Sequence, residues 1–124
     1  MDQVFLDANI LIDIFEHRRD VNLETLSHYY LIYSPLSIHI YLYLYKIKIP
    51  LPEIYLFMQK LEADAAAFSG EILKKALEGP TSDFENNVQL HSAAEAECNY
   101  FLTNDEKLLK MKFFGKTRIS NSIS

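Results

Sequence analysis

The sequence predicts an α/β protein with three layers, in which a central, mainly parallel sheet lies between two layers of helices. Short apolar runs of strand length alternate along the chain with longer segments of helical pattern. Two of these apolar runs stop abruptly on polar residues, and capping residues, prolines and glycines separate the helices. Strands joined by helices form parallel sheets through right-handed crossovers, which cover both faces of the sheet.

The first apolar run, Gln3–Leu6, predicts a buried strand that ends at Asp7. Apolar residues at helical spacing then predict a helix over residues 9–16, which ends in a polar cluster containing Arg18 and Arg19. This arginine pair could contact a phosphate backbone, but the pattern favours solvated surface residues.

The next segment predicts a helix over residues 23–30, a strand over 31–33 and a helix over 35–45. Pro35 opens the last helix, since proline is favoured in a first helical turn. Three tyrosines of this helix alternate with aliphatic residues, a pattern that would also suit a strand, but the Ser-Pro start favours a helix. We expect this tyrosine-rich face to pack on the next element or across a dimer rather than to stack on bases. The tyrosines are Tyr41, Tyr43 and Tyr45.

The middle of the chain predicts two more helices and a connection. Two prolines precede a helix over residues 53–60, and residues 61–64 form a short extended connection. A segment rich in Ala, Leu and Lys predicts a helix over residues 65–78, which a Gly-Pro pair ends.

The C-terminal third begins with Ser82 and Glu85, which have the spacing of a capping box and predict a helix that runs to about residue 97. A compact strand over residues 100–102 follows, and it stops on a polar triplet that ends at Asp105. The last predicted elements are a helix over Glu106–Met111, a strand over 117–119 and a polar tail over 121–124.

The composition limits the classes of protein to consider. The 124 residues, 49% of them hydrophobic, predict a single domain over residues 1–120. No apolar run approaches the roughly 18 residues of a membrane helix, and no signal segment precedes the first strand, so we expect a cytoplasmic protein with no membrane partner. A net charge of -5 argues against strong unspecific nucleic-acid binding, although acids around a divalent cation also lower the charge. The single cysteine, Cys98, excludes an internal disulfide and is expected to be a small buried residue.

Asp7 is the first candidate site residue, because open α/β sheets bind ligands in the crevice at the carboxyl ends of their strands. The alternative is that Asp7 only caps the following helix, since Asp is a favoured N-cap. Asp105 also follows a strand and is expected at the same edge, where the helix starts near Ser34 and Ser82 could add further side chains. Paired carboxylates suit Mg²⁺ or Mn²⁺, which prefer oxygen ligands and can activate water for attack on a phosphodiester.

Three stretches of the chain resemble the PIN domain, the nuclease fold of VapC-type toxins from toxin–antitoxin pairs. They are Val-Phe-Leu-Asp-Ala-Asn-Ile-Leu-Ile at residues 4–12, Ser-Pro-Leu-Ser-Ile-His at residues 34–39, and residues 83–105 with Ser-Ala-Ala from Ser92 and Leu-Thr-Asn-Asp from Leu102. The resemblance spans nearly the full length. It implies a metal-dependent ribonuclease that acts on RNA, forms a homodimer and pairs with an antitoxin protein.

The resemblance also implies four metal-site acids, of which this chain keeps two. The first falls on Asp7, and Asn9 matches the small polar residue that accompanies it. The fourth falls on Asp105, with Thr103 in the same polar ending as a further residue that lines the site. On this basis Asp7 and Asp105 are the predicted ligands of Mg²⁺ or Mn²⁺.

The other two acid positions are occupied by His39 and Asn86. Two negative charges are therefore missing, and weaker binding of a hard cation is expected. Asp83 shares a helical face with Asn86 and is the better third catalytic acid, whereas Glu85 points roughly 100° away. The alternative for Asp83 is a first-turn acid that stabilises the helix dipole, and the alternative for His39 is a packing residue.

Two functions follow from these residues. In the first, Asp7 and Asp105, helped by Asp83 or His39, hold a divalent cation in a ribonuclease of weakened activity. In the second, the domain no longer cleaves and serves as an RNA-binding or protein-interaction module, with the tyrosine-rich helix as one candidate surface.

Overall fold

The computed structural model describes residues 1–18 and 21–123, and in this part of the chain it confirms the predicted three-layer α/β/α fold. The strands are β1 (Gln3–Leu6), β2 (Tyr30–Tyr33), β3 (Ala63–Ala65), β4 (Tyr100–Leu102), β5 (Phe113–Phe114) and β6 (Thr117–Ser120). The helices are α1 (Ala8–Phe15), α2 (Leu23–Leu26), α3 (Pro35–Leu44), α4 (Pro52–Lys60), α5 (Gly70–Glu78), α6 (Phe84–Glu95) and α7 (Glu106–Met111). None of these helices has the length and apolar character needed to cross a membrane.

The sheet has the strand order β3-β2-β1-β4-β6-β5. Every neighbouring pair is parallel except β5 and β6, which form an antiparallel hairpin at one edge. The chain runs outward from β1 through β2 to β3 and then places β4 on the other side of β1. The carboxyl ends of β1 and β4 therefore form the topological switch point, where sheets of this kind bind ligands.

The two faces of the sheet carry separate cores, because successive side chains of a strand point to opposite faces. On one face, Val4 and Leu6 pack with side chains of α1, α2 and α4. On the other face, the rings of Phe5 and Phe101 stack with their centroids 5.3 Å apart, next to side chains of α6 and α7. The helices thus form one layer on each side of the sheet.

Helix α2 is shorter than the predicted helix over residues 23–30. It ends at Leu26, and the chain enters β2 at Tyr30, which pairs with Gln3 of β1. The N–H of Tyr30 also donates to the carbonyl of Asp2 (2.9 Å). Pairing with the first strand therefore ends the helical pattern early.

Helix α5 also begins later than predicted, at Gly70 instead of residue 65. Ala65 lies in β3, and the N–H of Ala66 donates to the carbonyl of Tyr33 (2.7 Å). Pairing with β2 thus overrides the helix propensity of the alanines. Ser69 then caps the helix by accepting a hydrogen bond from the N–H of Ile72 (3.2 Å).

The capping box predicted at Ser82 is wrong, since the N-cap of α6 is Asp83. The Asp83 side chain accepts from the N–H of Asn86 (3.0 Å), and its own N–H donates to the hydroxyl of Thr81 (3.0 Å). The Thr81 hydroxyl in turn donates to Oδ1 of Asn87 (2.6 Å). This network fixes the turn so that the helix starts one residue later than a box at Ser82 requires.

Two strands were not predicted, and both lie at edges of the sheet. β3 occupies part of the expected connection over residues 61–64, and β5 forms a hairpin with β6 through Gly115, whose φ of 60° suits glycine. These strands have three and two residues, too few for an alternating pattern to be recognised in the sequence.

The tyrosine-rich segment is helical, as predicted, but its tyrosines divide between two environments. Tyr41 is buried, donates its hydroxyl to Glu16 (2.6 Å) and packs on the ring of Phe15. Burial, followed by this hydrogen bond, raises the pKa of Tyr41 to about 12. Tyr43 is 75% exposed and stacks beside His39, with the ring centroids 6.4 Å apart. One face of α3 therefore packs on α1, and the other faces solvent.

Cys98 is a small buried residue, as predicted. It belongs to the core that contains Phe5 and Phe101, and burial raises the pKa of its thiol to about 12. At the C-terminus, Ile123 of the predicted polar tail packs against the core of the opposite face. Both residues therefore contribute to packing.

Candidate site at the carboxyl edge of the sheet

Asp7 lies at the switch point because the pairing of β1 with β4 continues through it. Its N–H donates to the carbonyl of Leu102 (3.1 Å). Asp7 occupies the N-cap position of α1, but its side chain makes no capping hydrogen bond. Its Oδ2 accepts from the hydroxyl of Thr103 (2.6 Å), and the residue is only 2% exposed. The carboxylate therefore faces the end of β4.

The first turn of α1 is capped by Gln89 of α6, which the sequence analysis missed. Its Oε1 accepts from the N–H of Ala8 (2.7 Å), and its side chain also hydrogen-bonds to Asp7. Gln89 is buried, so its amide hydrogen-bonds to groups at the edge of the sheet and not to solvent. A signal was present, since Gln89 follows Asn86 by three residues and so lies one turn further along a shared helical face.

The pKa of the Asp7 carboxyl is raised above its ordinary value. Burial is the largest cause, and the nearby charge of Asp105 also raises the pKa. Hydrogen bonds from Thr103, Gln89 and the N–H of Ala8 oppose this change. Asp7 therefore retains its proton to higher pH than an exposed aspartate, and any cation that binds it must compete with that proton.

Asp105 approaches from the end of β4 and is the N-cap of α7. Its Oδ1 accepts from the N–H groups of Lys107 (2.8 Å) and Leu108 (3.2 Å), and its own N–H donates to Oγ1 of Thr103 (3.0 Å). The Thr103 hydroxyl thus bridges the two predicted acids, because it accepts from the backbone of Asp105 and donates to the carboxylate of Asp7.

Beside this pair lies a cleft of about 410 Å³ between α1, the end of α3 and the start of α7. Its polar lining residues are Asn9, Asp13, Arg18, Tyr45, Asn104 and Asp105. Asn9 and Asp13 lie four residues apart on α1, a spacing that places both on one face of the helix. Asp13 is buried and was missed by the sequence analysis, although its spacing from Asn9 was a usable signal. Asp7 does not line the cleft. Of the two predicted acids, Asp105 is the one that lines it, and Asp105 is also near the buried carboxylate of Asp7.

Arg18 is the positively charged residue among those that line the cleft. It is exposed, as the sequence predicted, and its guanidinium lies over the ring of Tyr45, 5.4 Å from the centroid. Such a contact orients a guanidinium without neutralising its charge. Arg19, the other half of the predicted pair, lies outside the described residues.

The predicted third acid lies at the start of α6 and makes no contact with the pair at the switch point among the described hydrogen bonds. Asp83 is exposed and caps the helix. This is close to the alternative given for it in the sequence analysis, an acid in the first turn that stabilises the helix dipole. Glu85 is exposed in the first turn, and Asn86 is half-buried with its N–H bonded to Asp83.

The remaining predicted residues belong to α3. Ser34 is fully buried and caps this helix by accepting from the N–H of Leu36 (3.2 Å). His39 is exposed and lies beside Tyr43. Neither residue lines the cleft.

Two carboxylates lie near each other at this edge, so the residues present could serve a hydrated cation but do not form a site with four acids. Across residues 1–18 and 21–123, no group of three or more His, Cys, Asp or Glu side chains is placed to hold a metal ion. Mg²⁺ commonly keeps several waters and uses one or two carboxylates, which Asp7 and Asp105 can provide. The site is therefore expected to be weak.

Comparison of the chain with family models and with curated proteins gives no match. The function is therefore inferred from the residues, their placement in the fold and the chemistry that they permit.

Proposed function

We propose that this chain is a PIN-like domain that acts as a metal-dependent ribonuclease of low activity. The observation that carries the proposal is the approach of Asp7 and Asp105 at the switch point, where Thr103 bridges them. Ligands of open α/β sheets bind at this position. The resemblance of three stretches of the sequence to PIN domains supports the same function.

The chemistry divides between a cation and residues of the cleft. A bound Mg²⁺ or Mn²⁺ would supply a Lewis acid and an activated water for attack on a phosphodiester. Asp7 and Asp105 would hold the cation. The guanidinium of Arg18, which lies over the ring of Tyr45, would bind a phosphate of the RNA strand.

Low activity follows from the surroundings of Asp7. The carboxylate is almost fully buried and its pKa is raised, so at a given pH less of it is ionised than in an exposed aspartate. Cation binding and cleavage should therefore increase as the pH rises through that pKa. Among the residues that the structure describes, no three acids are placed to hold a metal ion together, which lowers the attraction for the cation further.

The test is calorimetric titration of Mn²⁺ and Mg²⁺ into the wild-type protein and the Asp7→Asn variant, followed by cleavage of a labelled single-stranded RNA. We expect a dissociation constant of roughly 1 mM or tighter for the wild type, and loss of both binding and cleavage in the variant. Asp83→Asn is the matched control, because it removes a carboxylate from the start of α6 and retains a capping side chain. Cleavage that is undiminished in Asp7→Asn, or absent with both metals, contradicts the proposal.

The second candidate function is an RNA-binding module that does not cleave. It is favoured by the burial of Asp7, whose carboxylate is hydrogen-bonded to Thr103 and Gln89 as a structural group would be. This candidate predicts RNA binding that is the same in EDTA and in Mg²⁺, with intact RNA recovered afterwards. Efficient cleavage by highly purified wild-type protein excludes it.

We further propose a cytoplasmic protein that forms a homodimer or binds an antitoxin through α3 and α4. The support is a group of exposed apolar side chains on these helices, beside an apolar groove of about 230 Å³. They include Tyr43, Leu44, Tyr55 and Leu56. Sedimentation equilibrium should give a dimer that Leu56→Glu dissociates, and a monomeric wild type that binds no co-expressed partner contradicts this proposal.

A further inference from the structure

A second pocket adjoins the cleft at the same edge of the sheet. It has a volume of about 210 Å³ and lies between α1, α2, the end of β4 and the segment that follows β6. Asn104 lines both this pocket and the cleft, so the two spaces adjoin at this residue. A ligand that extends from the cleft past Asn104 therefore enters the pocket.

The lining of the pocket combines an apolar floor with amide and hydroxyl groups. The apolar residues include Ile10, Leu26, Leu102 and Ile123, and the polar ones are Asn22, Thr25, Asn104, Asn121 and Ser122. None of the described residues that line it is charged, whereas the adjoining cleft is lined by Asp13, Asp105 and Arg18. The uncharged lining favours a neutral ligand group that both donates and accepts hydrogen bonds, and it disfavours a phosphate or a cation.

The amides of the pocket have hydrogen-bonding capacity to spare. Oδ1 of Asn22 accepts from the N–H of Thr25 (3.0 Å), which leaves its NH₂ group available. The side chains of Asn104 and Asn121 make no hydrogen bond with another described residue. A carboxamide offers two donors and an acceptor, which is the complement of a base edge.

We infer that this pocket binds one unpaired nucleobase of an RNA strand whose phosphate lies in the adjoining cleft. The inference rests on the proposed function, because it assumes that the cleft receives RNA. The volume is below the roughly 300–1,000 Å³ of pockets for drug-sized ligands, as expected for a single heterocycle. Unstacked bases of single-stranded RNA are commonly read by side chains on their exposed edges. The pocket would therefore give the protein a base preference at one position of its substrate.

The inference can be tested without metal or cleavage. Fluorescence anisotropy in EDTA would measure the affinity for four labelled oligonucleotides of eight residues, made of A, C, G or U alone. The preferred oligonucleotide would then be compared with a version that lacks the base at one position. We expect the wild type to prefer one base and to bind the abasic strand more weakly. The double variant Asn104→Ala, Asn121→Ala should lose on the order of tenfold in affinity and bind the four oligonucleotides alike. Ser122→Trp should have the same effect by filling the mouth of the pocket.

Gln59→Ala is the matched control, because it removes an exposed carboxamide from α4, away from this edge. Equal affinities for all four bases, or an unchanged preference in the double variant, overturns the inference, as does a wild type that binds none of the strands. If the wild type cleaves RNA and the variants keep the same base preference, the base-binding role of the pocket is contradicted and the nuclease proposal stands. If the wild type binds RNA with a base preference but does not cleave it, the nuclease proposal is contradicted and the base-binding role of the pocket stands.

Discussion

Aspartates occupy two regions of this molecule that look alike in the sequence and differ in the fold. Asp7 and Asp105 follow strands at the switch point, where the hydroxyl of Thr103 donates to the carboxylate of Asp7 and accepts from the backbone N–H of Asp105. Asp83 precedes a helix, where its carboxylate is exposed and bonded to the N–H of Asn86. Asp105 also caps a helix, but its position at the end of a parallel strand brings it close to Asp7. Asp83 has only the bond to its own helix to place its carboxylate.

Gln89→Leu should produce the largest loss of stability among these variants, because the buried amide of Gln89 bonds to the first turn of α1 at the edge of the sheet. The variant removes Oε1 of Gln89, which accepts from the N–H of Ala8, and also removes a hydrogen bond to Asp7. We expect the free energy of unfolding, measured with urea, to fall by about 1–3 kcal/mol. Gln59→Leu on the surface of α4 should change it by less than about 0.5 kcal/mol. Similar values for both variants would show that the amide is not needed at the edge of the sheet.

Asp7→Asn should have the opposite effect on stability. The folded protein binds the Asp7 proton more tightly than the unfolded chain, whose pKa is near 3.8. The contribution of this group to stability is therefore full below pH 3.8 and is lost as the pH rises through the raised pKa. At pH 7 the variant should therefore be more stable than wild type and have a higher Tm, as urea and thermal unfolding would measure. A variant that is less stable than wild type at pH 7 and equally stable at pH 3 contradicts this assignment.

Asp83→Ala should lower stability modestly and leave the site intact. Loss of the N-cap of α6 should reduce the free energy of unfolding by about 1 kcal/mol, while Asp83→Asn should stay within a few tenths of wild type. Calorimetry should give the same affinity for Mn²⁺ in both variants as in wild type. Weaker Mn²⁺ binding in Asp83→Asn would place this carboxylate in the site and remove the distinction between the two regions.

His39→Ala should have the smallest effect. The ring is exposed beside Tyr43, so the free energy of unfolding should change by less than about 0.5 kcal/mol. RNA cleavage should proceed at the wild-type rate, and Tyr43→Ala provides a comparison that removes the other member of the stacked pair. A rate that falls in His39→Ala alone would mean that His39 reaches the cleft when RNA is bound.

The strand ends could be predicted from the sequence, because the signal for each is local. An apolar run that stops on Asp7, and another that stops before Asp105, define the strands and their polar ends without knowledge of the rest of the chain. The Thr103 bridge follows from the pairing of Leu6 with Leu102, which sets the next residues of the two strands side by side. The place of β4 next to β1 was not predicted, since parallel strands of a sheet can be arranged in many orders.

The other parts of the site depend on how distant elements are placed, and no local pattern specifies that. Gln89 reaches Ala8 because α6 packs on one face of the sheet and extends to the edge where α1 begins. Asp13 lines the cleft because α1 lies next to the end of α3. The start of α6 at Asp83 depends on the hydrogen bonds of Thr81, whose hydroxyl competes with the capping box for the same turn.

The short strands at the two edges of the sheet have a consequence for self-association. β3 has three residues and β5 has two, so each edge offers few unpaired backbone groups to a strand of another molecule. Extension of the sheet from one protein to the next is thereby disfavoured, both in a specific dimer and in fibrous aggregates. Assembly of this protein should therefore proceed through side chains of its helices, and its aggregates should lack the regular backbone spacing of stacked strands.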